Sequence, residues 1–225
     1  MGNPMDIKKK RGPNRTRNPE VTRQMLIDAV GDILKEDGWR GLGVNKIALR
    51  AGVDKKMIYW YFQSYNNLLK TYIKSKDFWM PVFEKFQSEE GVREMDLPDF
   101  ISSIFMEQFK VFFREPEMQT FIHWQISDSR SVLREISEER EFQGAKIAAM
   151  TDPHFKGSSF NFRAVLALLL GGVYYVVWHA NMNRTSVCGI DINIERDRLD
   201  LIRSIGQIID LVWGAAGKEL EVVAD

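Results

Sequence analysis

Residues 44–62 read VNKIALRAGVDKKMIYWYF, a pattern that indicates two short helices joined by a tight turn. The first helix is predicted over residues 44–50. Gly52 supplies the break, because glycine accepts the positive φ that ends one helix and redirects the chain. Asp54 is placed to cap a second helix that opens at Lys55. Two short helices of which the second opens with cations predict a helix-turn-helix, whose second helix enters the DNA major groove.

This part of the chain resembles the DNA-binding domain of TetR-type transcriptional repressors, and the likeness covers residues 17–69. The matching segments are IALRAGV at 47–53, YWYF at 59–62, SYNNLL at 64–69, DGW at 37–39 and the long helix predicted at 19–35. Asp54, Lys56 and Met57 stand where the family usually carries small residues, and this bears on the DNA sequence that is read. The resemblance implies a dimeric, sequence-specific DNA-binding repressor that a small ligand releases from a near-palindromic operator. The few charges on the helices expected to line a pocket favour a hydrophobic ligand.

The expected fold is all-α with about nine helices. Its parts are a flexible basic arm at 1–18, a three-helix helix-turn-helix DNA-binding domain at 19–66, and a larger helical ligand-binding and dimerisation domain at 67–225. Residues 1–62 hold 13 Lys+Arg and 7 Asp+Glu, which leaves 18 and 24 for residues 63–225. A basic N-terminal part followed by an acidic remainder is typical of a DNA-binding domain attached to a domain that does not bind DNA.

Candidate DNA contacts are the cations and hydrogen-bonding aromatic residues of the arm and the two short helices. Lysine and arginine reach phosphates or guanine edges, while phenol and indole groups reach phosphates or a thymine methyl. The alternative for each is an exposed or half-packed residue, and for the arm a solvated tail without a role. The set comprises Arg15, Arg17, Lys46, Lys55, Lys56, Tyr59, Trp60 and Tyr61.

Apolar stripes at helical spacing predict the body helices. Their expected bounds are 65–87 with a kink at Pro81, 98–114, a helix opening at Pro116, 131–150, 164–183 and 194–217. A loop is expected from Thr151 to Pro153 and at Gly157. Residues 164–183 carry no charged side chain over 20 positions, which could span a bilayer. Glycines and asparagines interrupt this run, so a helix buried on all sides is favoured over a membrane span.

In TetR-like proteins the last two helices form the dimer interface, so the resemblance places a four-helix interface here. The expected interface residues are Leu169, Gly172, Ile202, Ile205, Ile209 and Trp213. A ligand pocket is expected among the aromatic helices, and a filled core without a pocket is the alternative. The expected pocket residues are Phe105, Phe109, His123, Trp124, Tyr174, Trp178 and His179.

The chain has one cysteine, Cys188, and three histidines in separate segments, so neither an intramolecular disulfide nor a zinc cluster is expected. None of the common nucleotide-binding, zinc-protease or serine-hydrolase motifs occurs, so no enzyme activity, cofactor or metal is expected. The charged N-terminus and the single cysteine predict a cytoplasmic protein, and no association with a membrane is expected. Two other functions stay open: a ligand-independent dimeric DNA-binding protein, and a helical enzyme or membrane-associated protein with a basic arm.

Overall fold

The structure is a computed structural model that describes residues 18–79, 81–82, 96–127 and 131–224. Within these ranges it contains nine α-helices and one 3-10 helix at Trp39–Gly41, with a single isolated β-bridge between Val187 and Ile190. The α-helices are α1 Pro19–Asp37, α2 Val44–Ala51, α3 Lys56–Phe62, α4 Tyr65–Ser75, α5 Leu97–Arg114, α6 Pro116–Ser127, α7 Ser131–Phe155, α8 Phe162–Asn183 and α9 Glu195–Ala224. The prediction of an all-α fold with about nine helices is confirmed.

The chain divides into two compact units, and the division falls between Tyr72 and Ile73, inside α4. The expected boundary lay earlier, between residues 66 and 67. We call the first unit the head and the second the body. The expected arm at 1–18 lies outside the described residues except for Asn18.

In the head, α1 begins where its residues predict. The side chain of Asn18 accepts a hydrogen bond from the Glu20 N–H (3.1 Å), and Pro19 occupies the first turn. The buried stripe of α1 meets Ile47 of α2, Ile58 of α3 and Leu68 of α4, all fully buried, in one apolar core. Val21, an apolar residue in the first turn of α1, is half exposed.

Gly31 of α1 meets a neighbour that its own helix does not predict. A Cβ at this position would lie 2.8 Å from the hydroxyl oxygen of Tyr72 on α4, a separation that carbon and oxygen do not tolerate. Glycine therefore permits the close approach of α1 and α4 within the head.

Three expected helix ends in the body are wrong. α4 ends at Ser75 rather than near residue 87, because Asp77 turns the chain and its side chain accepts the Trp79 N–H (2.9 Å). α7 continues through the expected loop to Phe155, since Pro153 in the last turn removes a single backbone donor. α9 passes the expected stop at residue 217, because a glycine inside a helix costs only about 1 kcal/mol.

The body core is built around α5, which packs most extensively against α9. Phe109 and Phe112 of α5 are fully buried. On the neighbouring helices, Trp213 of α9 packs edge-on against Phe162 of α8 (5.6 Å between ring centroids) and stacks on His154 of α7 (4.1 Å). The imidazole Nε2 of His154 also lies 2.9 Å from the carbonyl oxygen of Trp213, so α7, α8 and α9 meet at this cluster.

The expectation that α8 is buried on all sides is wrong for the single chain. Only 17% of its most apolar window is buried. By length and composition alone it is the one helix among the described residues that could cross a membrane, which by itself is weak support for a span. One face of α8 packs through Val173 and Val177, and the opposite face carries exposed apolar side chains.

Candidate functional site

The turn between α2 and α3 has the geometry that its residues predict, and α3 begins at Lys56, one residue later than expected. Gly52 adopts a left-handed conformation (φ 63°, ψ 35°), and its N–H donates to carbonyls in the last turn of α2. The Val53 N–H reaches the Ala48 carbonyl oxygen (3.0 Å), and Asp54 Oδ1 accepts the Lys56 N–H (2.8 Å). Glycine stops α2 and the Asp54 carboxylate caps α3, so backbone chemistry sets the angle at which α3 is presented.

The same backbone conformation gives a stability prediction. Gly52→Ala is expected to lower the free energy of unfolding of the head by about 1 kcal/mol, because an alanine Cβ is strained at positive φ. Gly144→Ala, in the interior of α7 with open space at the Cβ, is expected to raise stability by about 0.5–1 kcal/mol. Urea unfolding followed by circular dichroism checks both. If both alanine variants changed the free energy of unfolding by the same amount and in the same direction, the positive φ of Gly52 would not be the reason for its effect.

Helix α3 is anchored on one side and open on the other. Ile58 and Phe62, four residues apart, are buried in the head core. The open side shows Lys55, Lys56, Tyr59 at 51% exposure and Trp60 at 68%. Large aromatic side chains with a hydrogen-bonding tip are rarely left this exposed without a partner. Tyr61, the last of the predicted contacts on α3, is half-buried with its ring edge-on to Trp60 (4.5 Å).

The lysines of the head differ in how their charge is neutralised. Lys46 of α2 forms an ion pair with Asp37 of α1 (2.7 Å). Lys55 and Lys56 form no ion pair with any of the residues that the structure describes. Among the described residues no carboxylate pairs with either charge, which favours these two lysines over Lys46 as the groups that attract an anion.

Arg50 was not among the predicted contacts, although it lies on α2 beside this surface. It forms a two-pronged ion pair with Glu36 of α1. The Arg50 guanidinium lowers the pKa of the Glu36 carboxyl through this hydrogen-bonded pair, and Glu36 raises the pKa of Arg50 in return. The pair ties α2 to α1. Arg15 and Arg17 of the predicted arm lie outside the described residues.

The body contains a cavity of about 430 Å³, within the range of roughly 300–1,000 Å³ that is usual for small-molecule sites. Side chains of α5, α6, α7 and α8 line it, together with Trp79. Phe105 and Tyr174, two of the expected pocket residues, are among them. Most of the wall is apolar, with isoleucines at positions 101, 104, 122 and 147.

The other five expected pocket residues do not line this cavity. Phe109 is fully buried and stacks on Phe113, and His123 is exposed. Trp178 and His179 follow Tyr174 by more than one helical turn, and the Trp178 indole N–H donates to the Gln119 carbonyl oxygen (3.2 Å). Trp124 packs edge-on against Phe121.

A chain of hydrogen bonds that the sequence did not reveal runs along one end of the cavity. Arg140 Nε donates to Asp77 Oδ2 (2.6 Å), and Arg140 Nη1 donates to Gln125 Oε1 (2.7 Å). The Trp79 indole N–H, two residues after Asp77, donates to the Tyr174 hydroxyl (3.3 Å). Burial raises the pKa of Tyr174, which keeps this phenol neutral. Asp77 and Arg140 are 63 residues apart in sequence, so no local pattern could pair them.

The expected interface residues divide into two groups. Ile205 and Ile209 are 3% and 0% exposed in the core of their own chain, and Leu169, Ile202 and Trp213 pack partly against it. Gly172 is exposed with open space around it. Leu168, Tyr175 and Met182, seven residues apart on α8, are exposed instead (76%, 57% and 81%). The helical period determines this division, since successive positions of one helix point roughly 100° apart, so a shift of one residue moves a side chain from the packed face toward the open one.

In the described part of the chain, no three His, Cys, Asp or Glu side chains are grouped as a metal site requires. No curated protein matches the chain in sequence. The model of the family described as bacterial regulatory proteins, tetR family, matches residues 26–71. The matched segment contains both helices of the helix-turn-helix and the turn between them.

Solved structures share the fold over both units. The transcriptional regulator FadR from Bacillus subtilis, in complex with stearoyl-CoA, has 19% identity and a TM-score of 0.59, over 83% of this chain and 96% of that one. The fatty acid degradation regulator FadR from Bacillus halodurans has 19% identity and a TM-score of 0.58, with coverage of 83% and 96%. A TetR family transcription regulator from Marinobacter aquaeolei VT8 has 18% identity and a TM-score of 0.54, with coverage of 87% and 95%.

At such identities these structures show a common fold and no more. The family match places the same motif on the residues that form α2, the Gly52 turn and α3. The geometry of that turn and the open side of α3 agree with a DNA-reading helix-turn-helix. The head of this chain is therefore a DNA-binding domain of the kind that the tetR family of bacterial regulatory proteins carries.

Proposed function

We propose that the chain is a homodimeric cytoplasmic repressor that binds a near-palindromic operator and releases it when a small, mainly apolar effector enters the body cavity. The observation that carries this proposal is the open side of α3. Lysines without an ion pair to the described residues and exposed aromatic residues lie there, opposite the buried Ile58 and Phe62. In a dimer, two such helices would enter successive major grooves about 34 Å apart, or a multiple of that distance.

Each predicted contact then has a role that its position supports. Lys55 and Lys56 at the start of α3 would reach phosphates or guanine edges, and Tyr59 and Trp60 would add contacts to phosphates or a thymine methyl. Lys46 can contribute if DNA displaces Asp37, and Tyr61 would support Trp60. Arg15 and Arg17 would add phosphate contacts from the arm.

Selection of bound DNA from a random pool, with sequencing at two salt concentrations, tests this function. A recovered near-palindrome is expected, and its half-site spacing would report the separation of the two recognition helices. Binding that is blind to sequence and disappears as salt rises would contradict the proposal, because phosphate contacts alone produce that behaviour.

The exposed face of α8 supports the dimer. Leu168, Tyr175 and Met182 recur every seven residues, Gly171 and Gly172 leave open space between them, and no charged residue occurs from 164 to 183. On α9, Leu211 and Ile208 are also exposed. A second copy of the same surface would cover this apolar face around a twofold axis.

Leu168→Glu is therefore expected to dissociate the dimer, raising its dissociation constant by roughly 100-fold or more, since the twofold axis buries two carboxylates without partners. Phe142→Glu on α7, which also replaces an exposed apolar residue, is the matched control and should leave the dimer intact. Sedimentation velocity over a range of protein concentrations measures both. A Leu168→Glu protein that still sediments as a dimer would place the interface elsewhere.

The cavity distinguishes the proposed effector-released repressor from a ligand-independent dimeric DNA-binding protein. Its apolar wall, closed by a few polar groups at one end, matches the usual composition of small-molecule sites. A ligand-independent protein would show neither a ligand-induced rise in melting temperature nor a ligand-induced loss of operator binding.

A further inference from the structure

The polar end of the cavity holds a hydrogen-bond donor that lacks an acceptor. Gln125 lines the cavity, and its Oε1 is taken by the Arg140 guanidinium. Its Nε2 is buried and has no hydrogen-bond partner among the residues that the structure describes. An amide N–H buried without an acceptor is costly, and such groups in native proteins are nearly always satisfied by protein, water or ligand. Because Gln125 lines the cavity, a turn of its side chain would present this donor to an acceptor inside the cavity.

The two cationic side chains that line the cavity are already paired with carboxylates. Arg140 is paired with Asp77, whose side chain is completely buried, and Arg163 is paired with Asp152 (2.6 Å). Glu141 is the remaining charged residue of the wall, and it lies close enough to Arg163 to raise the pKa of that guanidinium. An anion would therefore find no uncompensated cation, and a cation placed at the polar end would face the Arg140 guanidinium.

We propose that the cavity binds an uncharged, mainly apolar molecule with one hydrogen-bond-accepting oxygen, and that this oxygen docks on Gln125 Nε2 beside Arg140. Ketones, esters and lactones have this chemistry. The inference rests on the proposed function, because it names the class of effector for the same cavity. The isoleucines of the wall, with Leu166 and Leu170, take up the apolar part.

The docking point adjoins the groups that hold the chain after α4. Arg140 contacts Gln125 with one nitrogen and Asp77 with another, and Asp77 caps the turn that follows α4. The preceding residue on α7, Glu139, binds Lys74 in the last turn of α4 (2.6 Å). A ligand oxygen at Gln125 therefore changes the surroundings of the contacts that fix the end of α4. The ligand shifts the equilibrium between two conformations of the protein only to the extent that its affinities for the two conformations differ.

The test uses three probes of equal chain length on the full-length protein: 2-decanone, decanoate and decylammonium. Isothermal titration calorimetry is expected to show the ketone binding at least tenfold more tightly than either ion. Gln125→Leu is expected to weaken ketone binding about tenfold, the loss of one hydrogen bond to a buried donor. Gln143→Leu, the same replacement on α7 at a residue outside the cavity wall, should leave binding unchanged.

Gln125→Glu provides a second variant that keeps the size of the side chain and its acceptor for Arg140 but removes the Nε2 donor. It is expected to lose ketone binding as well. Tighter binding of either ion, unchanged ketone affinity in both Gln125 variants, or no ketone binding to the wild type overturns the inference. Failure of the proposed function has another signature, which is the absence of sequence-specific DNA binding by the probe-free wild-type protein.

Discussion

Replacing both Lys55 and Lys56 with alanine is expected to weaken operator binding by roughly 60-fold at ~0.1 M salt. The loss of two phosphate contacts reduces the slope of log K against log salt concentration by ~1.8. If the two proteins bind equally at ~1 M salt, this difference in slope amounts to a factor of about 60 in affinity at ~0.1 M salt. The expectation rests on their exposure and on the lack of an ion pair with the described residues. Titration of a selected operator by fluorescence anisotropy at several salt concentrations measures both affinity and slope.

The matched control removes two exposed lysines from the body instead. Lys76 and Lys110 are paired with Glu117 and Glu107 (both 3.3 Å). Lys76→Ala with Lys110→Ala makes the same change in net charge without touching α3. It should leave the salt slope unchanged, since only cations at the phosphates release counterions. Equal losses in the two double variants would show that the net charge of the protein, rather than α3, attracts DNA.

Asp77→Ala is expected to lower the free energy of unfolding of the body by about 3–5 kcal/mol, because it leaves a buried guanidinium without its partner. The side chains of Asp77 and Arg140 are 0% and 12% exposed. The variant also removes the acceptor of the Trp79 N–H. For a protein of this size the loss corresponds to a fall in Tm of roughly 6–20 °C. Differential scanning calorimetry measures it.

Asp152→Ala removes the partner of Arg163 in an ion pair that is about half exposed, and it is the control. Water takes over the contacts of such a pair, so the Tm should hardly move. Adding Arg140→Met to Asp77→Ala should recover part of the loss, because an apolar pair removes the buried charge. If the Asp77→Ala protein had the same Tm as the Asp152→Ala protein, the Asp77–Arg140 ion pair would not contribute to the stability of the body.

The helix-turn-helix could be predicted residue by residue because its determinants are local. Gly52 takes the positive φ, Asp54 caps the next helix, and Ile58 and Phe62 recur at the spacing of one helical face. Each of these features depends on neighbours within four residues along the chain. The start of α1 at Asn18 and Pro19 was predictable for the same reason.

The candidate cavity was predicted only in part. Aromatic residues on the body helices indicated a pocket, but Phe105 and Tyr174 line it while Phe109 and Trp178 do not. A helical stripe shows which residues face inward without showing where two helices fail to fill the space between them. The resemblance placed the interface on the last two helices, and the apolar stripe of α9 then suggested Ile205 and Ile209, although both lie in the core of their own chain.

The amino-acid sequence alone determines the all-α class, the turn between α2 and α3, and the basic character of the front of the chain. These follow from backbone propensity, capping and composition, which act over a few residues. Only the tertiary structure shows that Asp77 pairs with Arg140, that the Tyr72 ring packs against Gly31, and which face of α8 is exposed. These contacts join distant segments, and the relative placement of packed helices depends on the fit of whole surfaces rather than on any local run of residues.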